Sequence, residues 1–144
     1  MNSVFICIPG KPIPKGRPKF ARRGAFVAIY TPEPTRVYEA LVAEEAAASM
    51  NGSTPMKGPL ELKMQIFMPI PVSYSRKKAQ GCREQSMVPT KTPDWENIAK
   101  SVCDAFNGIV WDDDCQIVDA HVTKRFGEEP CVICIVTELD LRSC

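Results

Sequence analysis

The feature that most constrains the fold is a strict alternation of side chains between residues 60 and 68. Apolar residues occupy every second position, namely Leu60, Leu62, Met64, Ile66 and Met68. Three of the four residues between them are polar or charged. A period of two places the apolar set on one face of a β-strand. The chain must therefore build a sheet, and other elements must cover the buried face of that sheet.

The other elements follow from apolar spacing and from proline and glycine stops. We predict strands near residues 1–9, at 26–30, at 116–124 and, in a more central position, at 131–138. Helices are predicted for residues 35–50 and 95–107, and one or two helical turns for the basic segment 72–92, which we expect to be mobile without a ligand.

The same spacing predicts which side chains point inward. In the first helix the expected stripe is Val37, Leu41 and Ala48, with Tyr38 and Val42 beside it. The second helix is expected to bury Trp95, Ile98, Ala99, Val102 and Phe106. The strand at 116–124 is expected to bury Val118, Ala120 and Val122.

This order of elements predicts an α/β (α+β) fold, with a small mixed β-sheet and helices packed on it. The 144 residues are 44% hydrophobic, which suits a single domain over 1–144 with a real core. No apolar run is long enough to cross a bilayer, and the first residues do not resemble a secretory signal. We therefore expect a cytoplasmic protein with no membrane partner.

The seven cysteines are scattered, and their odd number does not suggest a disulfide framework. Cys131 and Cys134 form a CxxC motif inside a predicted strand. Residues three apart on a strand face opposite sides, so the two sulfurs diverge. We expect reduced thiols and no zinc.

Charge is divided unequally along the chain. Residues 1–92 carry fourteen Lys/Arg against six Asp/Glu, whereas residues 93–144 carry four against eleven. The proline-rich arm at about 9–25 and the segment 72–92 are basic, and the region 93–119 is acidic. Solubilising loops are the ordinary explanation for basic runs, but the asymmetry favours contacts with a phosphate backbone. The predicted DNA-contacting residues are Lys15, Arg17, Lys19, Arg22, Arg23, Arg76, Lys77, Lys78 and Lys91.

The acidic region contains a candidate metal site. Asp94, Glu96 and the triplet 112–114 put five carboxylates around one short helix. Converging carboxylates repel one another unless a cation lies between them, and Mg²⁺ prefers oxygen ligands. Pro93 favours extended backbone before it, so we expect Asp94 at or just before the N-cap and Glu96 in the first turn.

Further along this helix, steps of four from Glu96 lead to Lys100 and Asp104. Because the helix spans about 20 Å, the aspartate triplet must fold back along it to meet Asp94. Each residue alone has an ordinary structural explanation: a helix cap, a surface ion pair or a solvated turn. Asp104 is expected to be structural.

Three motifs in this region resemble the RusA family of Holliday junction resolvases. They are Thr92-Pro93-Asp94-Trp95-Glu96-Asn97-Ile98-Ala99-Lys100, then Asp104-Ala105-Phe106-Asn107-Gly108, then Asp113-Asp114-Cys115-Gln116-Ile117-Val118. The family pattern is similar to Pro-Asp-x-Asp-Asn-x-x-Lys, Asp-Ala-Leu-Asn-Gly and Asp-Asp-x-Gln-Val. One departure is Glu96, where the family usually has aspartate, and its longer side chain puts metal geometry and turnover in question.

The resemblance implies a Mg²⁺-dependent endodeoxyribonuclease, with Mn²⁺ as a substitute, that resolves four-way junctions by paired symmetric nicks. It implies a homodimer, cytoplasmic and nucleoid-associated, of bacterial or phage origin. The implied metal ligands are Asp94, Glu96 and Asp114, with Asp113 as a further candidate. Lys100 would be the catalytic lysine, and Asn97 and Asp113 would support the site.

A metal-activated water and in-line attack would leave a 5′-phosphate and a 3′-hydroxyl. Two alternatives stay open at this point. One is a junction- or DNA-binding module that does not cut. The other is a metal-dependent phosphodiesterase that acts on other branched nucleic acids, such as flaps, or on RNA or nucleotides.

Overall fold

A computed structural model describes residues 2–144. Nine helices and strands, together with a one-turn 3-10 helix at Asp114–Gln116, make up this part of the chain. Their bounds are β1 (Ser3–Pro9), β2 (Lys19–Arg23), β3 (Phe26–Tyr30), α1 (Glu33–Met50), β4 (Leu60–Pro69), α2 (Arg76–Arg83), α3 (Trp95–Phe106), β5 (Ile117–Gly127) and β6 (Cys131–Glu138).

The main sheet has four strands in the order β1-β6-β4-β5. Strand β6 is antiparallel to both of its neighbours, whereas β5 runs parallel to β4. A parallel pair needs a long crossover, and the segment that carries α2 and α3 supplies it. The predicted mixed sheet, the central position of β6 and the alternating burial of β4 are all confirmed.

Helix α1 packs against β1 and α3, but through a different stripe from the one predicted. Tyr38, Val42 and Ala46 are buried, whereas Val37 is 60% exposed; Ala48 is exposed as well. The buried stripe begins at Thr35, whose hydroxyl accepts from the amide of Gly16 and donates to the carbonyl of Pro14. The residues that follow Thr35 at helical spacing face the core with it.

Three further burial predictions are wrong, for reasons of position. Trp95 is 53% exposed because the whole first turn of α3 projects into solvent, and complete burial begins at Ile98. Val118 is 58% exposed, and Ala120 is exposed as well, because both lie on the edge strand β5. Only the far end of β5, at Phe126, is buried in the core.

The basic arm is more regular than the predicted loop. Residues 19–23 form β2, which pairs with the predicted strand β3 in a separate antiparallel ribbon. Gly24, with a φ of +63°, allows the tight turn between the two strands. All seven cysteines are free thiols. Within residues 2–144, no helix is long and apolar enough to cross a membrane.

Candidate active site

The N-terminus of α3 presents two carboxylates to solvent. Asp94 is the N-cap residue, with extended backbone (φ −68°, ψ 145°), and Glu96 lies in the first turn, as predicted. The Asp94 side chain makes no capping hydrogen bond, although aspartate commonly does so at this position. Its carboxylate oxygens are therefore available to a ligand.

Lys124 holds the loop that enters α3. Its ammonium group donates to the carbonyl of Lys91 at 2.8 Å and to the carbonyl of Pro93 at 2.9 Å. Since Pro93 immediately precedes Asp94, these bonds fix where the helix begins. Lys124 lies on β5, 31 residues from Pro93, so no local pattern in the sequence signals the contact.

After α3 the chain turns back at once. The Trp111 indole donates to the Asn107 side chain at 2.6 Å, and its ring packs edge-on against Phe106 with 5.4 Å between the centroids. Gly108 adopts a φ of +80°, a backbone conformation that favours glycine. Trp111 is fully buried, so this turn is part of the core.

Gln116 fixes the turn that carries the aspartate triplet. Its side-chain oxygen accepts from the amides of Asp112 (2.9 Å) and Asp113 (3.1 Å). Its side-chain nitrogen donates to the carbonyls of Met56 (3.0 Å) and Gly58 (3.1 Å). The turn is thereby tied to the chain that leads into β4. The sequence motif contained Gln116, but sequence reasoning did not assign this role to it.

The three aspartates of the triplet are used differently. Asp112 forms an exposed ion pair with Lys57 at 2.7 Å. Asp113 caps the one-turn helix, together with Gln116. Asp114 begins the one-turn helix, which contacts α3.

Burial raises the pKa of Asp114, and the charges of Asp113 and Asp104 raise it further, while Lys100 lowers it. The neighbouring thiol of Cys103 responds to the same groups. Burial and then the charges of Asp114 and Asp104 raise the pKa of Cys103 to about 12, against the effect of Lys100. The predicted return of the triplet to α3 is confirmed by the contact between this helix and the one-turn helix at Asp114–Gln116. Its meeting with Asp94 stays a prediction.

The candidate ligands do not form a closed cage. Asp94 precedes Lys100 by six residues, which is about 9 Å along the helix axis. Among residues 2–144, no three His, Cys, Asp or Glu side chains converge closely enough to hold a metal ion. The donors are nevertheless all carboxylate oxygens, which suit a hard divalent cation. Mutual repulsion favours an open arrangement of such groups when no cation separates them.

One predicted DNA contact has a different environment. Lys15 pairs with Glu39 at 2.6 Å and Asp104 at 3.1 Å, and only 23% of its side chain is exposed. Burial lowers the pKa of Lys15, but the hydrogen bonds to these two carboxylates outweigh that effect and raise it overall. The backbone amide of Lys15 also donates to the backbone carbonyl of Asn97 at 2.8 Å. The paired Lys15 therefore fastens the arm to α3, and its contact with DNA stays a prediction.

The other predicted basic residues are all exposed. They lie before and within the ribbon (Arg17, Lys19, Arg22, Arg23), on α2 (Arg76, Lys77, Lys78) and in the loop before α3 (Lys91). The segment that carries the last four is tied to β5 by the Gln85 side chain, which donates to the carbonyl of Phe126 at 3.1 Å. Arg83 of this segment also forms an ion pair with Glu128, the residue after β5. The mobility of the segment 72–92 without a ligand stays a prediction.

Two comparisons with known proteins bear on the identity of the chain. The family model described as "Endodeoxyribonuclease RusA" matches residues 9–137, a range that includes every candidate site residue. A protein of Bacillus subtilis (strain 168) named "Uncharacterized protein YqaN" is 31% identical over 141 residues. That match spans 96% of this chain and 99% of the Bacillus protein. The chain belongs to the RusA family of endodeoxyribonucleases, which act on Holliday junctions.

Proposed function

We propose that this protein is a Mg²⁺-dependent endodeoxyribonuclease that resolves four-way DNA junctions by paired symmetric nicks. The observation that carries the proposal is the position of Asp114. The one-turn helix that begins at Asp114 contacts α3, and the exposed first turn of α3 holds Asp94 and Glu96. A phosphate lying along this side of α3 would meet carboxylates and a lysine in succession.

Asp94, Glu96 and Asp114 would hold the cation, with Asp113 within reach of the same site. Bound Mg²⁺ would supply a water of lowered pKa and would polarise the scissile phosphate. Mn²⁺ has similar ligand preferences and is expected to substitute. The exposed side chains of Asp94 and Glu96 are free to move toward Asp114 once a cation and a phosphate are present.

Lys100 is the residue best suited to contact the reacting phosphate. Its side chain is 60% exposed, and its partner Asp104, at 3.6 Å, is shared with Lys15. Such an exposed pair is weak, so the ammonium group can turn to a phosphate oxygen at little cost. There it would stabilise the negative charge that develops on the non-bridging oxygens. Asn97, in the exposed first turn, would orient the substrate from the opposite end.

The exposed basic residues of the ribbon and of α2 would bind the DNA backbone. Contacts of this kind position a substrate without reading its sequence. A four-way junction has approximate two-fold symmetry, and two nicks at symmetric positions require two active sites. A homodimer satisfies that requirement because its two-fold axis can coincide with that of the junction. In-line displacement would leave a 5′-phosphate and a 3′-hydroxyl at each nick.

A cleavage assay with labelled four-way junctions tests the proposal. Wild-type protein should cut two opposing strands in Mg²⁺ or Mn²⁺ and should not cut in EDTA. Asp94→Asn should lower cleavage by about 1,000-fold. Junction binding should persist or tighten, because a charge that repels phosphate is removed. Asp140→Asn, which changes an exposed aspartate near the C-terminus, is the matched control and should cut normally. Full activity of Asp94→Asn would overturn the assignment of the site.

Glu96 motivates a test of the two alternatives, since it stands where the family usually has aspartate. A junction-binding module that does not cut would give a band shift but no product in either metal. An enzyme for other branched nucleic acids would prefer a flap or an RNA in direct competition with the junction. Glu96→Asp should raise activity if the longer side chain limits turnover.

A further inference from the structure

A cavity of about 420 Å³ lies beside the loop that leads into α3. Its floor is apolar and includes Met68, Tyr74 and Phe126, and one wall is formed by Met87 and Val88. The rings of Tyr74 and Phe126 pack edge-on, with 6.2 Å between the centroids. Nothing in the proposed cleavage chemistry uses this space.

Three lysines surround the cavity: Lys11, Lys78 and Lys91. The Lys78 ammonium is held 4.0 Å from the centroid of the Tyr74 ring, so part of this charge is directed to the apolar floor. Of the described residues that line the cavity, none is acidic. We refer to it as the lysine-rimmed cavity.

The lysine-rimmed cavity adjoins the candidate active site. Lys11, Thr92 and Pro93 line it and also line a second depression, which extends to Asp94 and Asn97. A nucleotide in the cavity would therefore be close to a phosphate bound at the start of α3. The wall between the two depressions is fixed, because Lys124 holds the carbonyl of Pro93 at 2.9 Å.

The chemistry of the cavity selects its ligand. Its volume is within the range of about 300–1,000 Å³ that is usual for small-molecule sites, and a single nucleotide is of that size. An apolar floor favours a flat aromatic group, and a rim of cations without carboxylates favours the phosphates attached to it. A simple anion would leave the floor empty, and a neutral apolar ligand would leave the lysines without partners.

We propose that the lysine-rimmed cavity receives one unstacked nucleobase of the junction, next to the phosphate that is cut. This inference rests on the proposed function. Unstacking a base is least costly where its pairing or stacking is already disturbed. Bases at a branch point meet that condition, and those within a linear duplex do not. The cavity would thereby help to restrict cleavage to the branch point.

The first experiment follows the base directly. Each nucleotide around the branch point is replaced in turn by 2-aminopurine, and fluorescence is measured on binding in EDTA, so that no strand is cut. Wild-type protein should change the signal at one position in each strand that is later nicked. Val88→Trp, which fills the cavity from a residue that is 45% exposed, should abolish the change. Val72→Trp is the control, since Val72 is fully exposed and does not line this cavity.

The second experiment measures the energetic coupling. Removing the base at the responsive position should slow wild-type cleavage by about tenfold, the effect expected from losing one stacked base. Val88→Trp should slow cleavage of the intact junction by a similar factor. The two changes together should be no worse than either alone, because both remove the same contact. Thermal unfolding verifies that both tryptophan variants are folded.

The outcomes separate the two proposals. Cleavage of junctions by the wild type, with independent effects of the base and of Val88→Trp, would overturn the nucleobase site and leave the proposed nuclease intact. The absence of cleavage on every junction and metal tested would overturn the proposed function and the nucleobase site together. Coupled effects would support both.

Discussion

The two ends of α3 differ in how firmly they hold their acidic residues. At the N-terminal end, Asp94 and Glu96 are exposed, and Asp94 makes no capping hydrogen bond. At the other end, Gln116 and the buried Trp111 fix the turn that carries Asp114. One half of the candidate site is therefore built into the core, and the other half is left free for a ligand to arrange. Under the proposed function, a site of this kind would be complete only when cation and substrate are both present.

The comparison predicts that Asp114→Asn and Asp94→Asn will reduce cleavage to a similar extent but will have different effects on the stability of the fold. Asp114→Asn should lower cleavage by about 1,000-fold, as should Asp94→Asn, because each removes a ligand charge. Only Asp114→Asn should also stabilise the fold. Its folded-state pKa is raised by burial and then by the charges of Asp113 and Asp104, so its ionised form is unfavourable.

The pH dependence gives this prediction its sign. Below the unfolded-state pKa, Asp114 is protonated in both states, and the variant and wild type should unfold at equal temperatures. As pH rises through the range between the unfolded and folded pKa values, the wild type should lose stability relative to Asp114→Asn. Thermal unfolding in metal-free buffer from acidic to neutral pH measures the difference. Equal unfolding temperatures at neutral pH would contradict the environment described for Asp114.

Gln116→Ala should damage the rigid end of α3 without removing a charge. The change leaves two backbone amides and two backbone carbonyls without their partners, some of which water can replace. We expect a loss of about 2 kcal/mol in the free energy of unfolding, measured with denaturant. Cleavage should fall by about tenfold to 100-fold, because a displacement of about 1 Å in a reacting group has effects of that size.

Gln80→Ala is the matched control for this variant, since the Gln80 side chain bonds to two exposed side chains, Arg83 on α2 and Glu84 just after it. Gln80→Ala should change neither the free energy of unfolding nor the rate of cleavage measurably. Normal stability and cleavage in Gln116→Ala would mean that the turn is held by Trp111 alone.

The sequence predicted the parts of the site that depend on local geometry. Pro93 and the helical period were sufficient to place Asp94 at the N-cap and Glu96 in the first turn. The length of α3 required the triplet to fold back, and the one-turn helix that begins at Asp114 does contact α3. Residues of one helix or one turn are related by fixed backbone geometry, which explains why these predictions succeeded.

The parts that depend on distant contacts could not be predicted. Gln116 bonds to a carbonyl 60 residues away, and Lys15 to a glutamate 24 residues away. In both cases the partner lies on a different element, and only the packing of the fold brings it near. The basic residues around Lys15 therefore predicted a contact with DNA, whereas the structure shows the Lys15 ammonium paired with Glu39 and Asp104. The buried stripe of α1 likewise includes Thr35, whose hydroxyl bonds to Gly16 of the arm, 19 residues away.

The N-terminal end of α3 can be tested through Lys124, which anchors the loop before it. Lys124→Met should lose the bonds to the carbonyls of Lys91 and Pro93 and should loosen the entry to the helix. Because the carboxylates themselves remain, cleavage should fall only by about fivefold, and the Mg²⁺ concentration for half-maximal rate should rise. Lys124→Arg, which can still donate to carbonyl groups, should recover most of the activity. Lys63→Met, on an exposed lysine of β4, is the control and should behave as the wild type. A loss of rate without a change in Mg²⁺ dependence would indicate that Lys124 acts on the substrate, since an anchor of the Asp94 loop must alter how readily the cation is held.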